Sequence, residues 1–240
     1  MKLRIKFRKY GVLKFIGHLD VMRFFQKALR RADIDVAYTT GFSPHQIMSF
    51  AAPLGIGLES NGEYVDIEVN TPIASQEFID RFNACSAEGI EVTDVRLLPE
   101  KTANAMASVV AAEYRVRFRE GRSPQGDWQN AFASFMEQEE ILFEKSSKKN
   151  TTVVDLKKGI LDWRPEEDCL WCILSTGSVL NIRPDTLMES FWAYLGQEMP
   201  KNALLITREE IYGENLTPLA EFGSWIDSDE NNIDGLRDNC

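Results

Sequence analysis

His18 and His45 are the only imidazoles in 240 residues, and both fall within the first fifty. Each belongs to a short polar run containing glycine, Gly17-His18-Leu19-Asp20 and Gly41-Phe42-Ser43-Pro44-His45. An imidazole titrates near neutrality and can take or give a proton. Two of them, with a carboxylate and a hydroxyl, could run acid–base chemistry on RNA without a metal. His18 and His45 are therefore the candidate catalytic residues, and Asp20, Gly41, Phe42 and Ser43 are candidate binding residues beside them. Gly17 is expected to give the chain an unusual backbone conformation at the start of a helix. His18 at that N-terminus would be held neutral by the helix dipole. The plainer alternative is a capping or packing His18 and a His45 that closes a Gly/Ser/Pro turn. Nothing in the sequence alone brings the two rings together. Pro53-Leu54-Gly55-Ile56-Gly57 has the look of a loop where backbone approaches a ligand, although a lone G-x-G is weak evidence for phosphate binding.

Metal and cofactor chemistry has little to work with. Of the four cysteines, Cys169 and Cys172 form a C-x-x-C inside Asp168-Cys169-Leu170-Trp171-Cys172-Ile173. That run reads as a strand, where residues three apart point to opposite faces and cannot readily share an ion. There is no second C-x-x-C, no Walker loop, no Rossmann G-x-G-x-x-G and no H-E-x-x-H. No metal and no cofactor is expected.

Charge is distributed unevenly. The net charge is −10, which by itself argues against nucleic acid, yet residues 1–50 hold ten Lys/Arg against three Asp/Glu, and the remainder hold 17 against 34. Such asymmetry is more informative than the total. Lys2, Arg4, Lys6 and Arg8 alternate with Leu3, Ile5 and Phe7, the signature of a half-buried strand. Arg115, Arg117 and Arg119 repeat the pattern in the second half. Cations on one strand face are about 6.6–7 Å apart, a spacing suited to phosphates, and RNA-binding ferredoxin-like domains use the open face of their sheet. A third set, Arg23, Lys27 and Arg30, forms a ridge on a helix, with Asp20 placed to pair with Arg23. All ten of these cations are candidate binding residues. Solvated strand and helix faces are the plain alternative.

These residues need elements to position them. Periodicity predicts a strand over 3–8 and a helix over 18–32 with Leu19, Met22, Phe25, Leu29 and Ala32 inward. Short strands follow at 33–38 and 46–52, then a strand over 63–69, a helix over 75–85 capped by Ser75 and a strand over 90–98. The second half repeats the plan, with a strand over 114–118 and a helix over 127–139. Strands near 141–145, 151–157 and 169–175, a helix over 184–195 and a strand over 204–211 complete it. The economical fold is α+β: two tandem ferredoxin-like sandwiches, each an antiparallel sheet with helices on one face. The domains fall at 1–98 and 113–212, joined by a linker over 99–112. The segment 213–240 is an acidic tail whose end is expected to be disordered.

The run from Phe15 to Gly57 resembles the radical-SAM-linked protein family, a bacterial domain of unknown function. It carries F-x-G-H-x-D-x-M-R, A-L-R-R-A and G-F-x-P-H followed by S-F-A-x-P-L. That family is fused to, or encoded beside, a B12-binding-type radical SAM protein, and its genes often lie near those of ribonuclease G and ribosomal proteins. The resemblance implies two partners, an RNA or ribosomal particle and a radical SAM protein, but no transferable activity. On this reading the chain would be a stand-alone version of the domain. The leading expectation is a non-catalytic accessory protein binding RNA through a basic sheet face. An adaptor docking a radical SAM partner comes second, and a metal-independent RNA-processing or RNA-modifying enzyme using His18 and His45 third. No apolar run approaches the roughly 20 residues of a membrane span. The N-terminus lacks the apolar core of a signal peptide, so a cytoplasmic protein is expected.

Overall fold

Leu3, Ile5 and Phe7 are almost completely buried, and the strand that carries them, β1 (Lys2–Lys9), alternates as its sequence requires. The computed structural model describes residues 1–146, 151–177 and 180–228. The chain divides into two compact units, residues 1–109 with 210–240, and residues 110–209. The architecture is mixed α+β. No helix among the described residues is long and apolar enough to cross a membrane.

In the first unit β1 leads into α1 (His18–Arg31), β2 (Met48–Phe50), β3 (Glu59–Glu68), α2 (Ser75–Ala84), β4 (Ile90–Leu97) and the single-turn α3 (Ala105–Ser108). The strand order is β4-β1-β3-β2, and every neighbouring pair is antiparallel. Both helices pack on the side of Leu3, Ile5 and Phe7. Phe25 of α1 lies 4.7 Å from Phe7 and 5.0 Å from Phe82 of α2, ring centre to ring centre. The inward stripe of α1 is Val21, Phe25, Ala28 and Leu29. Leu19, expected inward, is 59% exposed, because at 100° per residue it stands on the far side from Val21. Residues 33–38 and 46–47 make only isolated bridges, Val36 to Val69 and Tyr38 to Gln46, instead of strands.

Two local expectations change. Ser75 does not cap α2. Buried, its hydroxyl donates to the Val95 carbonyl at 2.7 Å and accepts from the Ile226 amide at 2.9 Å. That second bond draws part of the acidic tail into the first unit, where Leu219 and Ile226 are buried. The tail beyond 228 lies outside the described residues.

The second unit runs β5 (Ala111–Phe118), α4 (Trp128–Met136), β6 (Leu142–Ser146), β7 (Thr151–Asp155), β8 (Ile160–Pro165), β9 (Cys169–Ser175), α5 (Pro184–Tyr194) and β10 (Leu204–Tyr212). Its strand order is β10-β5-β9-β8, and β10 enters the first unit at Glu210. Among the described residues β6 and β7 pair only with each other, as a separate two-stranded sheet before β8. β8 has no counterpart in the sequence reading. α4 and α5 pack an aromatic core, in which Phe132 sits 5.0 Å from Phe191 and 5.4 Å from Trp163 of β8. Cys169 pairs with Arg117 and Cys172 with Tyr114, so the two thiols occupy opposite faces of β9.

Candidate functional site

The β1 cations do lie on the face away from the helices, but that face is not open. Arg4 is 1% exposed. Its Nε donates to Asp66 Oδ1 at 2.8 Å and its Nη2 to Asp66 Oδ2 at 3.0 Å, while further N–H groups reach the carbonyls of Ala103 and Leu219. The Ala105 amide also donates to Asp66, at 2.7 Å. The segment expected to be a free linker, 99–112, and part of the tail thus cover the middle of the ladder. Lys2 donates to the Thr102 carbonyl and stands 3.8 Å from Asp66. Lys6 donates to Glu210 at 2.6 Å, and the same carboxylate accepts from Tyr64 Oη at 2.7 Å. Burial and the Glu210 carboxylate push the Tyr64 hydroxyl pKa well above its ordinary value. Arg8 reaches Glu91 and Asn61. Each β1 cation of the expected ladder is therefore matched by a carboxylate.

The second ladder is split. Arg115 pairs with Glu166 at 2.5 Å, while Arg117 and Arg119 are exposed, with no ion pair among the described residues. Glu166 also accepts from the Cys169 thiol at 3.2 Å and from Arg164 at 3.1 Å. The thiol bond, with the two guanidinium groups, holds the Glu166 carboxyl below its ordinary value. Burial, with Glu166 alongside, pushes the Cys169 thiol up, so it is no activated nucleophile. Arg164 stacks on Trp171 at 3.9 Å from the ring centre.

On α1, Arg23 pairs with Asp20 at 3.2 Å, both exposed. Lys27 and Arg30 are exposed, as is the neighbouring Arg31, and none has an ion-pair partner among the described residues.

The two histidines have separate surroundings. His18 begins α1 and meets the ring of Phe50 edge-on at 5.2 Å. It lines a cavity of about 20 Å³ with Lys9, Glu63, Phe7, Phe50 and Leu54. Lys9 and Glu63 are buried on a strand face that is otherwise apolar. Glu63 is opposite Phe7 in register, so both side chains point toward the helices. Lys9 donates to the Ile16 carbonyl at 2.9 Å and so ties β1 to the turn that starts α1. The trio of imidazole, ammonium and carboxylate is of the kind that moves protons, but the space beside it has room for about one water, where small-molecule sites run to roughly 300 Å³ or more.

His45 does not line that cavity. Its Nδ1 is 3.1 Å from Thr39 Oγ1, and its amide donates to the same oxygen at 3.1 Å. These bonds clasp the loop 39–45. Gly41 takes φ of 119°, a conformation that favours glycine, and places Phe42 at the tip, fully exposed. Ser43 is exposed as well, and its carbonyl lies 3.4 Å from the His45 ring.

What the sequence reading missed is apolar. Val12, Phe15, Leu19 and Ile56 are 77%, 63%, 59% and 66% exposed. Val12, Phe15 and Leu19 lie within five residues of Gly17 in the chain, and Ile56 approaches Gly17 from the 53–57 loop. Gly17 itself has an ordinary extended backbone with φ of −78°, contrary to expectation. A Cβ built on it would lie 4.0 Å from Ile56 Cδ1, so residue 17 abuts the 53–57 loop. The Gly57 amide donates to the Lys14 carbonyl at 2.9 Å, and Lys14 pairs with Glu59 at 2.9 Å beneath Phe15. The 53–57 loop, expected to approach a ligand through its backbone, instead holds Ile56 outward.

Fold and site together define a two-unit α+β protein with an apolar platform, the exposed Val12, Phe15, Leu19 and Ile56, in its first unit and a cationic ridge along α1. A family model described as an uncharacterized protein conserved in bacteria (DUF2344) matches residues 2–184, and the chain belongs to that family. The match takes in the whole platform and α1. No curated protein matches the chain.

Proposed function

We propose that this chain is a non-catalytic docking protein whose first unit offers Val12, Phe15, Leu19 and Ile56 to a protein partner. The carrying observation is a set of four large apolar side chains, each more than half exposed: three lie within five residues of Gly17, and the fourth, Ile56, is on the loop that abuts it. Contiguous exposed apolar surface is unfavourable in water unless it is used, and it marks interaction sites. Leu19, Arg23, Lys27 and Arg30 fall on one side of α1, so a cationic flank runs from the platform along the helix. Apolar contacts would supply most of the affinity and the flank would orient an acidic rim on the partner. The candidate partner is the radical SAM protein implied by the resemblance of the 15–57 segment, and the setting is the cytoplasm. We further read each unit as a ferredoxin-like sandwich, from the strand orders β4-β1-β3-β2 and β10-β5-β9-β8.

RNA binding is the second reading. Pairing of the β1 cations with Asp66, Glu210 and Glu91 weakens it at the sheet face. Lys27, Arg30 and Arg31, exposed and without ion pairs among the described residues, favour it along α1. The enzyme reading is the weakest, because His18 borders a one-water cavity that His45 does not line.

Co-purification tests the choice. A radical SAM protein co-expressed with this chain should stay bound after nuclease treatment and be released by Phe15→Glu. Release by nuclease with no effect of Phe15→Glu would favour RNA instead.

A further inference from the structure

The second unit holds a groove that the docking platform does not use. Its volume is about 300 Å³. Ile141, Leu142, Phe143 and Glu144 line it consecutively. Side chains on a strand alternate between faces, so a groove touched by every residue in turn runs along the edge of β6. The opposite wall is α5, through Glu189, Ser190, Ala193 and Tyr194. That i, i+1, i+4, i+5 spacing is one helix face. The floor is apolar, with Phe135 and Ile141 buried, while Leu142 and Tyr194 are exposed at the rim.

β6 pairs with β7 alone among the described residues. An edge strand of this kind presents backbone N–H and C=O groups that can template another strand. Extended peptides bind other folds by adding to a strand edge beside a helix, with alternate side chains filling the groove. Two carboxylates set the charge of the occupant. Glu144 and Glu189 line the groove with no ion-pair partner among the described residues. Partial burial, with Asp185 nearby, raises the Glu189 carboxyl above its ordinary value, so an arriving cation would relieve it. Nucleic acid is repelled by the same pair.

We infer that the groove between β6 and α5 is a peptide site. It takes an extended segment of a partner protein in which lysine or arginine alternates with apolar residues, and the segment adds to the edge of β6. Apolar side chains reach the floor of Phe135 and Ile141, and basic ones meet Glu144 and Glu189.

Fluorescence anisotropy on the full chain tests this with a labelled peptide alternating lysine with valine or phenylalanine. The native protein should bind it with a Kd below roughly 100 μM. Methylating alternate backbone amides of the peptide removes its strand donors and should weaken binding by roughly tenfold or more. Replacing its lysines by glutamate should do the same, as should Glu189→Lys. The milder Glu189→Gln should fall between, and circular dichroism checks that both variants fold. Phe15→Glu should leave peptide binding unchanged, which separates this site from the platform. Absence of binding to the native protein at millimolar concentration would overturn the inference. So would equal affinity for the methylated peptide, or indifference to charge at residue 189 or in the peptide.

Discussion

Arg4 of β1 and Asp66 of β3 stand opposite each other in register and are joined by two parallel hydrogen bonds, with the Arg4 side chain 0% and the Asp66 side chain 2% exposed. Their pairing turns an apparent nucleic-acid ladder into a structural staple. Asp66 also holds the Ala105 amide, and Arg4 the Leu219 carbonyl, so one ion pair fastens two covering segments to the sheet.

Removing one partner of that pair should be costly. Arg4→Ala leaves the buried Asp66 carboxylate with only the more distant Lys2 as a cation, 3.8 Å away, and is expected to destabilise the first unit by about 3–5 kcal/mol. Arg4→Met with Asp66→Leu together should restore much of the loss, because an apolar pair leaves no charge uncompensated. Urea denaturation of the single and double variants checks both statements. Arg23→Ala, whose partner Asp20 is exposed, should change stability by less than about 1 kcal/mol.

Two carboxyls should give opposite pH signatures. Glu166 is held below its ordinary value of 4.5 by the Cys169 thiol, Arg164 and Arg115. Its contribution to stability is present above 4.5 and is lost as pH falls through the lowered value. Glu189 is raised above 4.5 by burial and Asp185. Its ionisation costs stability as pH rises from 4.5 through the raised value. Glu166→Gln should therefore lower stability at pH 7 and be closer to neutral in strong acid. Glu189→Gln should raise stability at pH 7 and converge on the native protein below pH 4.5. Denaturation midpoints across the acid range measure both.

Any RNA affinity should come from α1. Replacing Lys27, Arg30 and Arg31 by glutamine should reduce binding and flatten its salt dependence, since every phosphate left without its cation takes roughly one from the slope of log K against log salt. Lys6→Gln should leave the slope unchanged, because Lys6 is committed to Glu210. Filter binding across a salt series decides between them.

The loop carrying Phe42 should tolerate loss of its ring but not of its glycine. Gly41→Ala forces a side chain onto a positive φ and should cost on the order of 1 kcal/mol. Phe42→Ala removes a ring that solvent surrounds and should be within about 0.5 kcal/mol of neutral. Thermal denaturation compares the two.

Local pattern carried much of this fold and little of its site. The alternation of Leu3, Ile5 and Phe7 with four cations is a nearest-neighbour signal, and β1 follows it. The partners of those cations lie 62 residues away at Asp66 and 204 away at Glu210, a distance no periodicity spans. Spacing alone puts Leu19 inward, while Val21 holds the stripe that faces Phe7. The strand β8 is hidden because Pro165 and the three acidic residues after it blur its ending, and because the β6–β7 pair occupies its place in the plan. The platform is illegible for another reason: an exposed apolar residue and a buried one have the same letter, and only tertiary packing tells Phe15 from Phe25.

The most direct test measures the affinity of the purified chain for the proposed partner, a radical SAM protein, by titration calorimetry, with three forms compared side by side. Native protein should bind, and Phe15→Glu with Ile56→Glu should weaken binding by about thirtyfold or more, as loss of central apolar anchors does. Lys27→Glu with Arg30→Glu should cost less and act chiefly on the salt dependence. Binding by the Phe15/Ile56 variant at native strength, or no binding by the native chain, would contradict the docking account.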